Sequence, residues 1–458
     1  MNQPSSAYKL ITSYNQNVRV RLYTPAHQGI AQNSERLGEE IYKYDVPFLT
    51  RPRTHSVEKH FSQLYGTKHT FWLTGGGTQG VLTACALLNT QYRRVAIALN
   101  SHISVINGII LAGLEPYFIP SQYLMPTAEE VILALETSGV SALLLTYPSY
   151  EGITIDLAEI TDHCRKYDIA LVVDEAHGSH FPFLDSRWQS AIAFNADIVI
   201  HSLHKYTGSL VQTALFHLPT DSRFTIEQVM GIMPLFETTT RSNLLILSIE
   251  DAIKKGHSKE GKALFWRAIQ KCDHLRGQLD RYDKVLTYDP QVNDPLKLCL
   301  KSEHASGEEI GELLYEGGVD YEYANEKGVL LIFSFQHTEV DFDYVWQVLQ
   351  QIYHILLQKP VRIKGEKSLS TRTPIMRVLP KEAFFAQREK LPLAQAKGRI
   401  SCTCFKKVPP GIPILIPGEE ITDWHQKNIA SDIFIDVIER VESFLIAPLE
   451  EKHGEFSS

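Results

Sequence analysis

Between about residues 70 and 220, short apolar runs alternate with longer stretches of helical character. The runs are Phe71–Thr74, Val95–Asn100, Ala142–Tyr147, Ile169–Asp174, Asp197–Ser202 and Thr213–His217. They are rich in Val, Ile and Leu and lack the alternation of a half-exposed strand, so they read as strands buried on both faces. Helical stretches lie between them at Gln79–Leu88, Ser104–Ala112, Thr127–Ser138 and Asp156–Tyr167. Asp156 is a good N-cap, with Glu159 three residues on, close to a capping box. The alternation predicts an α/β fold: a mostly parallel sheet with helices on both faces. Ligands bind such sheets beyond the carboxyl ends of the strands. Polar clusters fall there in phase, at Thr74 to Thr78, Asn100 to His102, Tyr147 to Ser149, Asp174 to His177 and Ser202 to Lys205.

With 458 residues the chain is too long for one core and predicts two or three domains. Residues 225–275 read as helical, and a second α/β unit follows at about 285–360, with strands expected at Lys297–Leu300 and Val329–Phe333. The Pro- and Gly-rich stretch Val408–Glu419 suits a rigid loop and edge strand rather than a helix. A net charge of −8 argues against non-specific binding to nucleic acid. The 18 histidines are scattered without metal-ligand spacing, so no metal is expected. Of six cysteines, Cys85 and Cys164 read as small core residues, and Cys402 and Cys404 form a C-x-C pair rather than a redox or zinc motif. The first residues lack the regions of a signal peptide and no apolar run reaches a membrane span, so the expectation is a soluble cytoplasmic protein with reduced thiols.

Four segments carry chemistry. In Ala196–Ser209 a buried strand ends at Ser202 and Lys205 follows in the turn. A lysine at an interior strand end is costly unless paired or used covalently. Taken alone, a solvated loop lysine would be the simpler explanation. Asp174 closes the apolar run Ile169–Asp174. A carboxylate there can face the pyridine nitrogen of pyridoxal 5′-phosphate (PLP) and keep it protonated, while Lys205 anchors the cofactor as a Schiff base. The competing role for Asp174 is capping of a turn. Thr74-Gly-Gly-Gly-Thr-Gln-Gly80 lies between a strand and a helix, where glycines allow close backbone approach and free N–H groups attract phosphate. His102, in Asn100-Ser-His102, could stack on the pyridine ring or belong to a strand-end hydrogen-bond network.

These stretches resemble the Orn/Lys/Arg decarboxylase family over nearly the full length. The resemblance also rests on Thr24–Gly29, Asp174-Glu-Ala-His-Gly178, Ser202-Leu-His-Lys205, Gln212-Thr213, Asp294-Pro-Leu-Lys-Leu298, Pro409–Pro413 and Pro417-Gly-Glu419. It implies a PLP-dependent transferase-like large domain of fold type I, with a mostly parallel seven-stranded sheet, plus smaller α/β C-terminal domains. The implied division is an N-terminal segment 1–50, a PLP-binding domain 51–280, a small α/β domain 281–365 and a decarboxylase-type domain 366–458. By this resemblance Lys205 is the Schiff-base lysine, Asp174 pairs with the pyridinium and His102 stacks on the ring. Ser202 and His204 lie by the phosphate and the substrate carboxylate, and His177 lies near the phenolic oxygen. Thr78 and the N–H groups of Gly76 and Gly77 hold phosphate. The family forms homodimers or larger homo-oligomers with shared sites, and Ser242 matches a position that approaches the partner's cofactor.

The chain departs from the family pattern at Ala26 and Gln28, which replace a glycine and a lysine. Two hydroxyl positions of the phosphate loop become glycine, Phe48 stands at a carboxylate position, and Thr240-Arg-Ser-Asn243 replaces the usual interface motif. The leading expectation is decarboxylation of lysine, ornithine or arginine to a polyamine-type amine, with Lys205 and His204 as candidate proton donors at Cα. An acid should meet the distal cation, and Glu322 is a candidate. A second reading keeps the cofactor but makes the reaction that of an aminotransferase, oxidase or lyase. A third, a non-catalytic binding or regulatory subunit, would be signalled by loss of Lys205 or Asp174, and both are present.

Overall fold

The structure is a computed structural model that describes residues 19–22, 55–121, 125–282, 284–362, 372–407, 411–430 and 432–439. The motif stretches Thr24–Gly29 and Asp45–Leu49, with Ala26, Gln28 and Phe48, lie outside the described residues, as do residues 408–410. The chain divides into two compact units, one of residues 1–80 and 145–367, the other of residues 81–144 and 368–458.

A seven-stranded sheet is formed by β1 (His69–Leu73), β2 (Arg94–Ile97), β3 (Glu115–Phe118), β4 (Ala142–Thr146), β5 (Ala170–Asp174), β6 (Ile198–Ser202) and β7 (Ala214–Leu218), in the order β1-β7-β6-β5-β4-β2-β3. Helices α1 (Gly76–Leu88), α2 (Ile103–Ala112), α3 (Ala128–Ser138) and α4 (Leu157–Lys166) connect the strands. β5 pairs with β6, and β2 with β3 and β4, in parallel. β7 is antiparallel to both β1 and β6, so β1 runs in the same direction as β6. Segments after β1, β5 and β6 therefore leave the same edge, as the phase of the polar clusters requires. Every residue of β1, β4, β5, β6 and β7 is buried, which is why these runs are mostly apolar on both faces rather than alternating.

The helix signals are met in the local geometry. Asp156 caps α4 by accepting from the Glu159 N–H at 3.0 Å. Thr127 and Glu130 form a full capping box on α3. The strand absent from the sequence reading is β3. Its Glu115-Pro-Tyr-Phe118 sequence breaks the strand pattern with a proline, which is tolerated because β3 is an edge strand.

Beyond the sheet, the first unit continues through helices Asn243–His257 and Lys259–Leu279 to an antiparallel four-stranded sheet that contains Lys297–Lys301 and Gly328–Ile332. Its core joins Trp72, Leu203 and Tyr206 to Phe265, Leu298, Leu331 and Phe333, all nearly solvent-free. In the second unit, Arg388–Pro392 pairs with Phe434–Ile438 over a small core of Leu393, Leu415, Ile421 and Val437. The Pro-rich stretch contributes the strand Ile412–Leu415, paired with Phe405–Lys407.

Candidate active site

β5 and β6 are neighbours in parallel register, with Asp174 opposite Ile200. Asp174 is thus delivered to the sheet edge at the end of β5, and the chain leaving β6 turns through the one-turn 3₁₀ helix Leu203–Lys205 to present Lys205. The Asp174 side chain is buried, and its Oδ1 accepts from the Ala176 N–H at 3.2 Å. Burial pushes its carboxyl above the ordinary range, while the Lys205 charge and that N–H pull it back. Burial likewise pushes the Lys205 amine down, opposed by Asp174 and Glu322. The two groups sense each other yet form no ion pair within 4.0 Å; Lys205 Nζ instead shares a hydrogen bond with His177 Nε2, at 2.7 Å.

His177 follows Asp174 by three residues on the β5 exit and is buried. Its Nδ1 lies 3.4 Å from Nζ of Lys297, the first residue of Lys297–Lys301. Lys297 is wholly buried; its ammonium donates to the carbonyls of Tyr150, at 2.8 Å, and Ser149, at 3.4 Å, with Asp294 Oδ2 3.9 Å away. Burial pushes its amine down to about 8, with Asp294 and Glu151 opposing. The Tyr150 ring meets His177 edge-on, centroids 4.7 Å apart, and its hydroxyl donates to Glu322 Oε1. Burial first, and the Glu322 charge second, raise the Tyr150 phenol well above its usual value, so it stays a donor.

At the glycine-rich end, Gly76 begins α1 with φ of +72° and donates its N–H to the Gln212 carbonyl at 2.8 Å. A Cβ on Gly77 would lie 2.6 Å from Ser202 Oγ, so the bare first turn of α1 is pressed against the end of β6. Thr78 is exposed in that turn, and the buried Thr74 hydroxyl has no hydrogen-bond partner among the described residues. His204, half-buried, directs Nδ1 to the Thr213 carbonyl at 3.2 Å, which turns Nε2 away from the backbone. His102 is the N-cap of α2, in the second unit; its Nδ1 accepts from the Ser104 N–H, and Gly411 packs close to its ring. Ser242 occupies the N-cap position of Asn243–His257 without a side-chain capping bond. The first unit thus gathers Lys205, Asp174, His177, Ser202, His204, Gly76, Gly77 and Thr78 around the exits of β1, β5 and β6.

Sequence reasoning gave Lys297 and Tyr150 no role. Lys297 sits inside a quoted motif, and its signal was a lysine entering an otherwise apolar strand. Among the described residues, no group of three His, Cys, Asp or Glu side chains is placed to hold a metal ion, and no helix is long and apolar enough to cross a membrane.

Comparison with known proteins is decisive for the family. The Orn/Lys/Arg decarboxylase major domain matches residues 37–309, more than half of the chain, and the C-terminal domain of the same family matches residues 365–443. The chain belongs to the Orn/Lys/Arg decarboxylase family. Membership makes it a PLP-dependent amino-acid decarboxylase acting on a basic amino acid. An arginine decarboxylase of Bacillus subtilis is 28% identical over 381 residues, covering 79% of this chain and 77% of that protein. A lysine decarboxylase from Francisella novicida shares the fold at a TM-score of 0.71 and 16% identity, covering 94% of this chain and 80% of that one. A serine palmitoyltransferase from Sphingomonas wittichii aligns at a TM-score of 0.60 and 14% identity over 74% of this chain and 88% of its own.

Proposed function

We propose that this chain decarboxylates L-arginine at a PLP site built by Lys205, Asp174 and the first turn of α1. The observation that carries the site is the pairing of a buried carboxylate with a buried amine across an interval. Asp174 and Lys205 act on each other's protonation without closing into an ion pair. A flat heteroaromatic cation suits that interval. The other end of the cofactor finds the glycine-lined turn of α1, the Ser202 hydroxyl and the Thr74 hydroxyl, which has no partner among the described residues. In this reading Gly77, Thr78, Ser202 and His204 hold the phosphate, while the Gly76 N–H is already given to the Gln212 carbonyl. The active assembly is a homodimer or larger homo-oligomer, with Ser242 toward the partner's cofactor.

PLP, when bound, supplies a protonated pyridine that accepts the electron pair left at Cα as carbon dioxide departs. The chain's own residues do the rest. Asp174 would hold the ring nitrogen's proton, because a carboxylate buried beside a cation keeps its charge only by sharing it. Lys205, its amine depressed by burial, is available as a neutral nucleophile and afterwards as a proton carrier toward Cα; His204 is the second candidate donor. Glu322, which acts on Lys205 through space and is oriented by the Tyr150 hydroxyl, offers the counter-charge for the distal cation. Arginine is preferred over lysine and ornithine because of the Bacillus arginine decarboxylase relatives.

The test is carbon dioxide release and amine formation from a panel of arginine, lysine, ornithine and neutral amino acids with PLP-loaded protein. Arginine should give the highest kcat/KM and the guanidino amine as product. A higher value for lysine or ornithine would move the substrate assignment. Keto-acid or peroxide formation without carbon dioxide would replace the reaction.

A further inference from the structure

The buried Lys297 stands behind the site rather than in it. It faces the ring of His177 on the side away from Lys205, so that a single imidazole separates two lysine side chains. A neutral imidazole has one donor and one acceptor nitrogen, and the neighbours decide which is which. Around Lys297 the partners are unambiguous. The carbonyls of Tyr150 and Ser149 can only accept, and the Asp294 carboxylate stands at 3.9 Å as counter-charge. Asp294 is itself held in place by His180, Tyr206 and the Leu296 N–H. An ammonium fits this shell, and its remaining N–H points at Nδ1 of His177. A nitrogen that accepts that bond carries no hydrogen, so the hydrogen resides on Nε2. Nε2 then donates to Lys205 Nζ, which must be the acceptor in a 2.7 Å contact.

We infer that Lys297 is a positioning residue that locks His177 in the Nε2–H tautomer, so that Lys205 meets a hydrogen-bond donor and is held as the neutral amine. The inference rests on Lys205 being the lysine that takes the cofactor. It deepens that reading by assigning the nucleophile's readiness to a residue that never touches substrate. Crowding favours the arrangement: a Cβ on Gly152 would lie 2.7 Å from Lys297 Cδ, so the lysine stem is confined and its ammonium cannot swing away. The charged and titratable groups facing Lys297 are His177, Lys205, Asp294, Glu151, Glu322 and Tyr206. Glu151, Asp294 and Glu322 are the acids among them, and they favour the ammonium form.

The decisive measurement is nitrogen NMR of the full-length apoprotein with ¹⁵N-labelled histidine rings, with the His177 signals assigned by their loss in His177→Gln. At pH 7 the His177 ring should show a protonated Nε2 and a bare Nδ1. A protonated Nδ1 in the wild-type protein would overturn the inference with no variant needed. Lys297→Met keeps the length of the side chain and removes the charge. In that variant the ring should populate the other tautomer. Capture of pyridoxal at Lys205, trapped by borohydride and located by peptide mass spectrometry, should slow at least tenfold at pH 7 and recover at higher pH. An unchanged ring spectrum with an unchanged pH profile of capture would also overturn it. If the trapped label sits on a lysine other than Lys205, the cofactor reading fails, whereas the tautomer result is read independently of it.

Discussion

Asp174 shows how one side chain can be examined apart from its fold. Its structural duty is to accept the Ala176 N–H, a bond that asparagine can also accept. Asp174→Asn should therefore melt within a few degrees of the wild type yet lose about 10²- to 10³-fold in kcat, the usual cost of removing one preorganised charge from a reacting centre. Steady-state kinetics beside a circular-dichroism melt separates the two effects. Lys297 makes a second prediction. Its amine is depressed from 10.5 to about 8 by burial, so between those values the unfolded chain binds a proton that the folded one does not. Stability relative to Lys297→Met should rise as pH climbs from 8 to 10.5, by roughly 3 kcal/mol in total, and stay flat below pH 8, where both states are protonated. Urea midpoints across that range check the sign. Lys205 and Asp174 could be singled out because Asp174 closes an apolar run and Lys205 lies in the turn just after one, where a charge has no cheap explanation. Lys297 was not, because a lysine at the first position of a strand reads as an exposed edge, and only the fold brings Tyr150 and His177 over it.

At the scale of elements, the junction of α1 with β6 joins local propensity to binding. Alanine at 77 would be a better helix former than glycine, a gain of up to about 1 kcal/mol in a helix interior and less at the first turn. Its Cβ would also meet the Ser202 hydroxyl at 2.6 Å and force it to turn. These effects fall on different observables. Gly77→Ala should leave the apoprotein's melting temperature unchanged or slightly higher, while the PLP dissociation constant rises about tenfold, near 1.4 kcal/mol. Fluorescence titration of apoprotein with PLP reads the second quantity. The buried strands were legible as elements because both faces need apolar side chains. β3 was hidden because an edge strand escapes that demand and admits Pro116. The pairing of His102 with Ser104 as an N-cap bond was likewise open, since a histidine after a strand end serves a cap and a ring contact equally well by sequence.

For the molecule as a whole, the buried histidines set the response to acid. Burial holds His257 down to about 4, and depresses His217 well below its ordinary value and His337 below it. His217 sits in a hydrogen-bonded network: its Nδ1 meets Thr70 Oγ1 at 2.9 Å and its Nε2 meets His201 Nδ1 at 3.1 Å, with Glu175 beyond. His337 bridges the Ser334 N–H and the Arg21 carbonyl. In each case the folded protein keeps the ring neutral, while the unfolded chain takes up a proton near pH 6.5. The unfolded state therefore binds more protons as pH falls below 6.5, and folding stability must fall with it. Each ring that stays neutral in the folded state while the unfolded chain is protonated adds at most about 1.4 kcal/mol per pH unit to that slope. Asp174 acts in the opposite sense, because burial raises its carboxyl in the folded state, but one carboxylate cannot offset three imidazoles. The protein should thus lose stability as pH falls below 6.5 and reach an acid unfolding midpoint. His257→Gln should shift that midpoint to lower pH while leaving stability at pH 8 nearly unchanged. A midpoint that does not move in this variant would transfer the acid response to groups other than the buried rings.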